Sequence, residues 1–141
     1  MALFSEQEQQ QIRKAIEDAE ALTSGEIRIC IEKSCPGDAL DRAAEYFHKL
    51  GMSQTSLHNG VLIYLATQDR KFAIIGDSGI NSVVPENFWN DTKEQMLQYF
   101  KQGDMAEGII TGIRLAGEKL KAYFPYRDGD KNELSDDIAF F

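Results

Sequence analysis

Four oxygen-bearing residues of this chain stand where loops meet apolar runs: Glu26, Asn59, Asp77 and Glu86. Carboxylate and amide oxygens are hard donors, the ligand type that calcium and magnesium take. Each residue also has a plainer role open to it. Glu26 reads as a solvated charge at a strand end, Asn59 before Gly60 as a turn amide, Asp77 as a turn former and Glu86 as a first-turn acid favoured by a helix dipole. Other chemistries have less behind them. Ser78 follows Asp77, but no signature places a histidine or lysine base beside it. Cys30 and Cys35 are the only cysteines, and a strand holding Cys30 sets them too far apart for an easy bridge, so free thiols are expected. Neither His48, on a helix beside Phe47, nor His58, a loop histidine with nothing pairing it, stands at zinc-ligand spacing. Asp128-Gly129-Asp130-Lys131-Asn132 begins like an EF-hand loop, yet Glu133 stands where glycine is needed and Ala139 where the bidentate glutamate is needed.

The elements that must position these residues are legible from hydrophobic periodicity. Val61 to Ala66 is an unbroken apolar run, which predicts a central strand buried on both faces. Thr67-Gln68-Asp69-Arg70 then leads to a second run, Phe72 to Ile75, so the pair reads as a β-hairpin. Gly76-Asp77-Ser78-Gly79 closes it with a glycine-bracketed polar loop. From Glu26 to Lys33 the chain alternates, with Ile27, Ile29 and Ile31 on one well-buried face and Glu26, Arg28, Cys30 and Glu32 on the other. Helices frame these strands. Ser5 and Glu8 form a capping box ahead of the stripe Ile12, Ala15, Ile16, Ala19 and Leu22. Asp38 caps a second helix with Leu40, Ala43, Ala44, Phe47 and Leu50 inward and Gly51 as its stop. A third runs from Pro85 to Gly103 and a fourth from Asp104 to Pro125. The Gly108 to Gly112 spacing in the fourth reads as close helix packing.

Strand, helix and strand in that order make a βαβ unit with a right-handed crossover. The fold class expected is α/β: a three-layer sandwich with a central mixed β-sheet, a βαβ unit and a hairpin, and helices on both faces. If the first two strands are parallel and the third returns antiparallel, Glu26, Asn59 and the Asp77 loop converge on one edge, with Glu86 following closely. Asp69, in the hairpin turn, and Asp104 fall at the opposite end. One domain over residues 1–125 and an acidic, mobile tail over 126–141 are expected. That tail carries five acids against Arg127 and Lys131, and ends on the apolar Ile138, Phe140 and Phe141.

The totals narrow the function classes. With 141 residues, 43% hydrophobic and 27% charged, the chain has ordinary globular composition. Its formal net charge of -8 opposes phosphate backbones, which excludes nucleic acid as a partner and favours bound cations or basic partners. No basic and apolar leader opens the sequence and no apolar run approaches the length of a membrane span, so a cytoplasmic location without membrane attachment is expected.

The order of motifs resembles the TPM domain family, also called thylakoid acid-phosphatase-like. The residues that carry the likeness are Ser24-Gly25-Glu26-Ile27, Asn59-Gly60-Val61-Leu62, Asp69-Arg70, Gly76-Asp77-Ser78-Gly79-Ile80, and Gly103-Asp104 before a small-residue-rich helix. Together they span nearly all of residues 5–124. The resemblance implies an α/β sandwich that binds divalent cations, and some family members have been proposed as phosphatases, one of them linked to photosystem II repair in the thylakoid lumen. Many members carry a signal peptide and a membrane anchor, which this sequence does not show. It also departs from the family at Asp77-Ser78, where an aromatic usually stands between the glycines, and at Asn81, where an acid usually follows. Three functions are therefore carried forward: a small calcium- or magnesium-binding domain with a binding or regulatory role, a metal-dependent acid phosphatase acting on phosphoesters, and a protein-interaction module working through the acidic tail.

Overall fold

The computed structural model describes residues 4–126 and 138–141. Helix α1 (Glu6–Glu20) is followed by β1 (Glu26–Glu32), α2 (Ala39–Lys49), β2 (Gly60–Ala66) and β3 (Lys71–Gly76). A single-turn helix α3 (Ser78–Asn81), then α4 (Asn90–Lys101), α5 (Met105–Lys121) and a two-residue strand β4 (Ala139–Phe140) complete the described chain. The sheet order is β3-β2-β1-β4; β1 is parallel to β2 and to β4, and β2 is antiparallel to β3. This is the expected mixed sheet with its βαβ unit and hairpin, extended by a fourth strand from the chain's last residues. Residues 127–137, on which most of the expected mobile tail and the EF-hand-like stretch fall, lie outside the described residues.

Local chemistry explains the boundaries. The Ser5–Glu8 capping box is formed in both directions, and Asp38 and Asp104 accept backbone N–H groups at the starts of α2 and α5. Gly51 and Gly103 sit just past α2 and α4 at φ 69° and 81°, the left-handed backbone that ends a helix and that glycine adopts without strain. The third expected helix starts later than Pro85. Residues 85–89 form turns and the helix begins at Asn90, so Glu86 is an exposed turn residue and not a first-turn acid.

Two cores lie on opposite faces of the sheet. Ile27, Ile29, Ile31, Val61, Ile63 and Leu65 face α1, α4 and α5, while Cys30, Leu62, Tyr64 and Ala66 face α2. Where α5 crosses its neighbours, side chains give way to backbone. A Cβ at Gly108 would lie 2.4 Å from Phe100, at Gly112 2.5 Å from Met96, and at Gly117 2.7 Å from Ala19. The glycine spacing in this helix is thus close packing. No helix among the described residues is long and apolar enough to cross a membrane.

The alternation in β1 does not mark one buried and one solvated face. All its residues but Arg28 are buried. The crossover helix α2 lies over the polar side and supplies the partners that let those residues be buried. Its inward face accordingly includes Tyr46, while Leu40, expected inward, is 53% exposed.

Candidate functional site

Glu26 opens β1, Asn59 immediately precedes β2 and Asp77 immediately follows β3, so the topology brings these three residues to one edge of the sheet. Glu26 pairs with Gly60, and the Asp77 N–H donates to the Gly60 carbonyl at 2.9 Å, one step beyond the Val61–Gly76 pair. Cross-strand partners share a face, so Glu26, Gly60 and Asp77 form one row on the α2 side. Over the middle of this row the Met52 carbonyl oxygen comes within 2.9 Å of where a Gly60 Cβ would stand. Any side chain at position 60 would fill that approach.

Around Asp77 the chain turns tightly. Oδ1 accepts the Ser78 N–H at 2.7 Å as the cap of α3, and Asn81 Nδ2 donates to the Gly76 carbonyl at 3.0 Å. Gly79 N–H donates to the His58 carbonyl at 2.9 Å, and a Cβ at Gly79 would lie 2.3 Å from the Leu57 carbonyl oxygen. The glycine in this loop serves close backbone approach; neither Gly76 nor Gly79 has a positive φ. His58 itself takes φ 50° and brings Nδ1 to 3.5 Å from Asp77 Oδ2. The histidine expected to be without a partner therefore stands against the central acid of the edge. Asp77 Oδ2 is buried and accepts no hydrogen bond among the described residues. Asn59 is 1% exposed, with its N–H on Thr55 Oγ1 and its amide nitrogen on Ser24 Oγ. Glu86 is not brought into this row. It is exposed and lines a separate depression with Asn81, Val84, Pro85, Phe88 and Trp89. Among the described residues no three His, Cys, Asp or Glu side chains cluster as a preformed metal cage.

At the other end, Asp69 accepts the Cys35 N–H at 2.7 Å and Asp104 caps α5. A polar constellation that sequence reasoning missed centres on Glu32, at the end of β1. Arg42 donates to it in a fork, Nε to Oε2 at 2.9 Å and Nη2 to Oε1 at 3.1 Å. Tyr46 OH donates to Oε1 at 2.9 Å and Tyr64 OH to Oε2. Burial alone would raise the Glu32 pKa, but the donors outweigh it and hold the carboxyl below its ordinary value. Burial and the adjacent carboxylate push Tyr46 up to about 12 and raise Tyr64 further. Cys30 is likewise pushed up to about 12, mainly by burial; it and Cys35 are free thiols, as expected. The signal was present in Arg42 and Tyr46, one helical turn apart on the crossover that must cover β1. Phe141 stacks on Tyr46 with ring centroids 4.4 Å apart, and its N–H donates to the Ile31 carbonyl, which closes the network from the β4 side.

Comparison with known proteins places this architecture. No curated protein matches the chain. Among solved structures, the NMR structure of BA42 from the psychrophilic bacterium Bizionia argentinensis is 44% identical, with a TM-score of 0.94 over 99% of this chain and 97% of that one. The N-terminal domain of cg2496 from Corynebacterium glutamicum is 16% identical, with a TM-score of 0.67 over 99% of this chain and 80% of that one. An N-terminal domain from P. gingivalis, also 16% identical, has a TM-score of 0.72 over 89% and 83%. At that identity the last two share the fold alone. The TPM domain family model matches residues 1–119, and the chain belongs to that family.

Proposed function

We propose that this domain binds a divalent cation, calcium or magnesium, at the sheet edge around Glu26, Asn59 and Asp77, in a binding or regulatory role. The observation that carries the reading is Asp77 Oδ2, a buried carboxylate oxygen that accepts no hydrogen bond among the described residues and is approached by His58 Nδ1 at 3.5 Å. Burying such an oxygen is costly unless something of opposite charge answers it. Two carboxylates with the Met52 carbonyl between them are a hard donor set. With so few protein ligands the ion would keep several waters, the habit of magnesium, or would be calcium held in the weak range of about 0.1–1 mM. A bound cation would also offset part of the net charge of -8. Glu86 is not needed for this site.

The test is a titration of the labelled protein with calcium and with magnesium, following backbone amide signals. Residues 24–26, 58–60 and 76–80 should shift more than 67–71. Asp77→Asn keeps the shape and removes the charge, so it should weaken binding about tenfold or more. Unchanged affinity in that variant, or shifts confined to the hairpin turn, would dispose of the site.

The His58–Asp77 approach favours a second reading, a metal-dependent phosphoesterase in which this pair handles a proton beside the ion. Magnesium-dependent hydrolysis of a phosphomonoester, lost in Asp77→Asn, would establish it; metal binding without turnover would leave the first reading standing.

A further inference from the structure

At the end of the sheet away from the Asp77 edge, the hairpin turn meets the junction of α4 and α5 around a cavity of about 90 Å³. Its walls are apolar: Leu65, Phe72, Leu97, Phe100 and Met105. Leu65 and Phe72 are paired across β2 and β3, and the Phe72 ring meets Phe100 edge to face at 4.9 Å, so the floor is held by packed elements. Two cations, Arg70 and Lys101, complete the lining. Among the described residues neither has an ion-pair partner. Arg70 is placed there at a conformational cost. Its φ is 54°, the left-handed region where a turn needing only to close would take glycine or asparagine. Side chains held in strained backbone concentrate at ligand clamps.

The geometry points to a binding site for a small amphipathic carboxylate, its chain in the cavity and its headgroup between Arg70 and Lys101. The volume gives space for an alkyl chain of about six carbons. Charge decides the class of ligand. Asp69 and Asp104 stand nearby, but they bond the Cys35 and Glu107 N–H groups, whereas both charged residues of the lining itself are cations, and an arginine fork matches a carboxylate. A neutral chain would use the walls and waste the rim, and an ammonium would meet like charge.

Hexanoate is the probe, with hexanol, hexylammonium and acetate as its comparators, each titrated into the labelled full chain. Hexanoate should shift the amide signals of Leu65, Arg70, Phe72, Leu97 and Met105. Hexanol should bind more weakly by a factor of about five to ten, the yield of partly screened ion pairs, and hexylammonium and acetate more weakly still. Arg70→Gly should reduce hexanoate affinity part of the way to that of hexanol, Lys101 still contributing, while holding or raising the melting temperature, because glycine relieves the backbone. Lys101→Gln should weaken hexanoate without affecting hexanol. Four ligands binding alike, acetate matching hexanoate, or no shift at these residues at roughly tens of millimolar hexanoate would each overturn the proposal. So would hexanoate affinity unchanged in both variants. The wild-type ligand series decides the matter even if a variant fails to fold.

Discussion

Replacing Tyr64 with phenylalanine deletes one hydroxyl and leaves the ring where it is. That hydroxyl donates to Glu32 Oε2, and water reaches neither partner freely, since Tyr64 is fully buried and Glu32 is 7% exposed. A hydrogen bond to a charged acceptor contributes about 1.5–3 kcal/mol. Arg42 Nε still reaches the same oxygen at 2.9 Å, so the carboxylate is not stranded and the lower end applies, about 1.5–2 kcal/mol. For a chain of this length that is a fall in melting temperature of about 5–8 °C at neutral pH, read by calorimetry. The pH dependence is the sharper test. Glu32 has a folded pKa held below the ordinary 4.5, so its contribution is present above that value and lost as pH falls through the folded one. Losing a donor raises the folded pKa, and the variant has less of this contribution to lose. The gap between wild type and variant should be full above about pH 5 and close as the pH falls below 4.5. In a Glu32→Gln background the same change should cost less, because the acceptor is no longer charged. A loss under about 0.5 kcal/mol at neutral pH, or a gap that stays constant down to about pH 3, would refute the reasoning.

Gly79→Ala should push the Leu57–His58 backbone away, since the new Cβ would lie 2.3 Å from one carbonyl oxygen and 2.5 Å from the other; the readout is loss of calcium or magnesium affinity together with shifted amide signals at residues 57–60. Phe141→Ala removes a ring stacked 4.4 Å from Tyr46 and should cost about 0.5–1.5 kcal/mol in urea unfolding, part of it lost because the ring is half exposed. Cys30, fully buried with its thiol pushed up to about 12, should resist a thiol reagent at mildly alkaline pH and react only when the protein unfolds.

Periodicity revealed the frame because the frame is made of strong, local signals. Helix caps at Ser5, Asp38 and Asp104 and stops at Gly51 and Gly103 act within a turn of their own positions, so sequence spacing reports them directly. The two-faced burial of Val61–Ala66 is equally plain, since no polar residue interrupts it. What stayed hidden depends on partners distant in sequence. Glu32 looks like a surface charge until Arg42 and Tyr46 arrive from α2 and Tyr64 from β2. His58 looks solitary because its approach to Asp77 depends on a left-handed backbone, which histidine favours only weakly, and on a partner 19 positions away. Pro85 marks where a helix is permitted, but the chain spends five residues in turns before Asn90, and that displaces Glu86 from its expected place.

The two ends of the polar face of β1 differ in what covers them, and the difference bears on the proposed ion site. At the Glu32 end, α2 delivers a guanidinium and two phenols meet the same carboxylate, so the charge is answered within the fold. Arg28, half-buried midway along the strand, adds one positive charge, and its Nε makes no hydrogen bond among the described residues. At the Glu26 end the covering segment is the α2–β2 connection. It brings the Met52 carbonyl above Gly60, a Thr55 hydroxyl to Asn59 and a single histidine to Asp77. Neutral oxygens do not neutralise a carboxylate, but they are ligands that a divalent ion takes. A network completed by protein cations has no further need of a ligand, whereas at the other end the proposed divalent ion would supply positive charge to Asp77 beside its His58 approach. Stability should therefore rise with added divalent ion through the Asp77 edge, in proportion to the logarithm of its concentration, and the same ion should leave the Glu32 network unmoved.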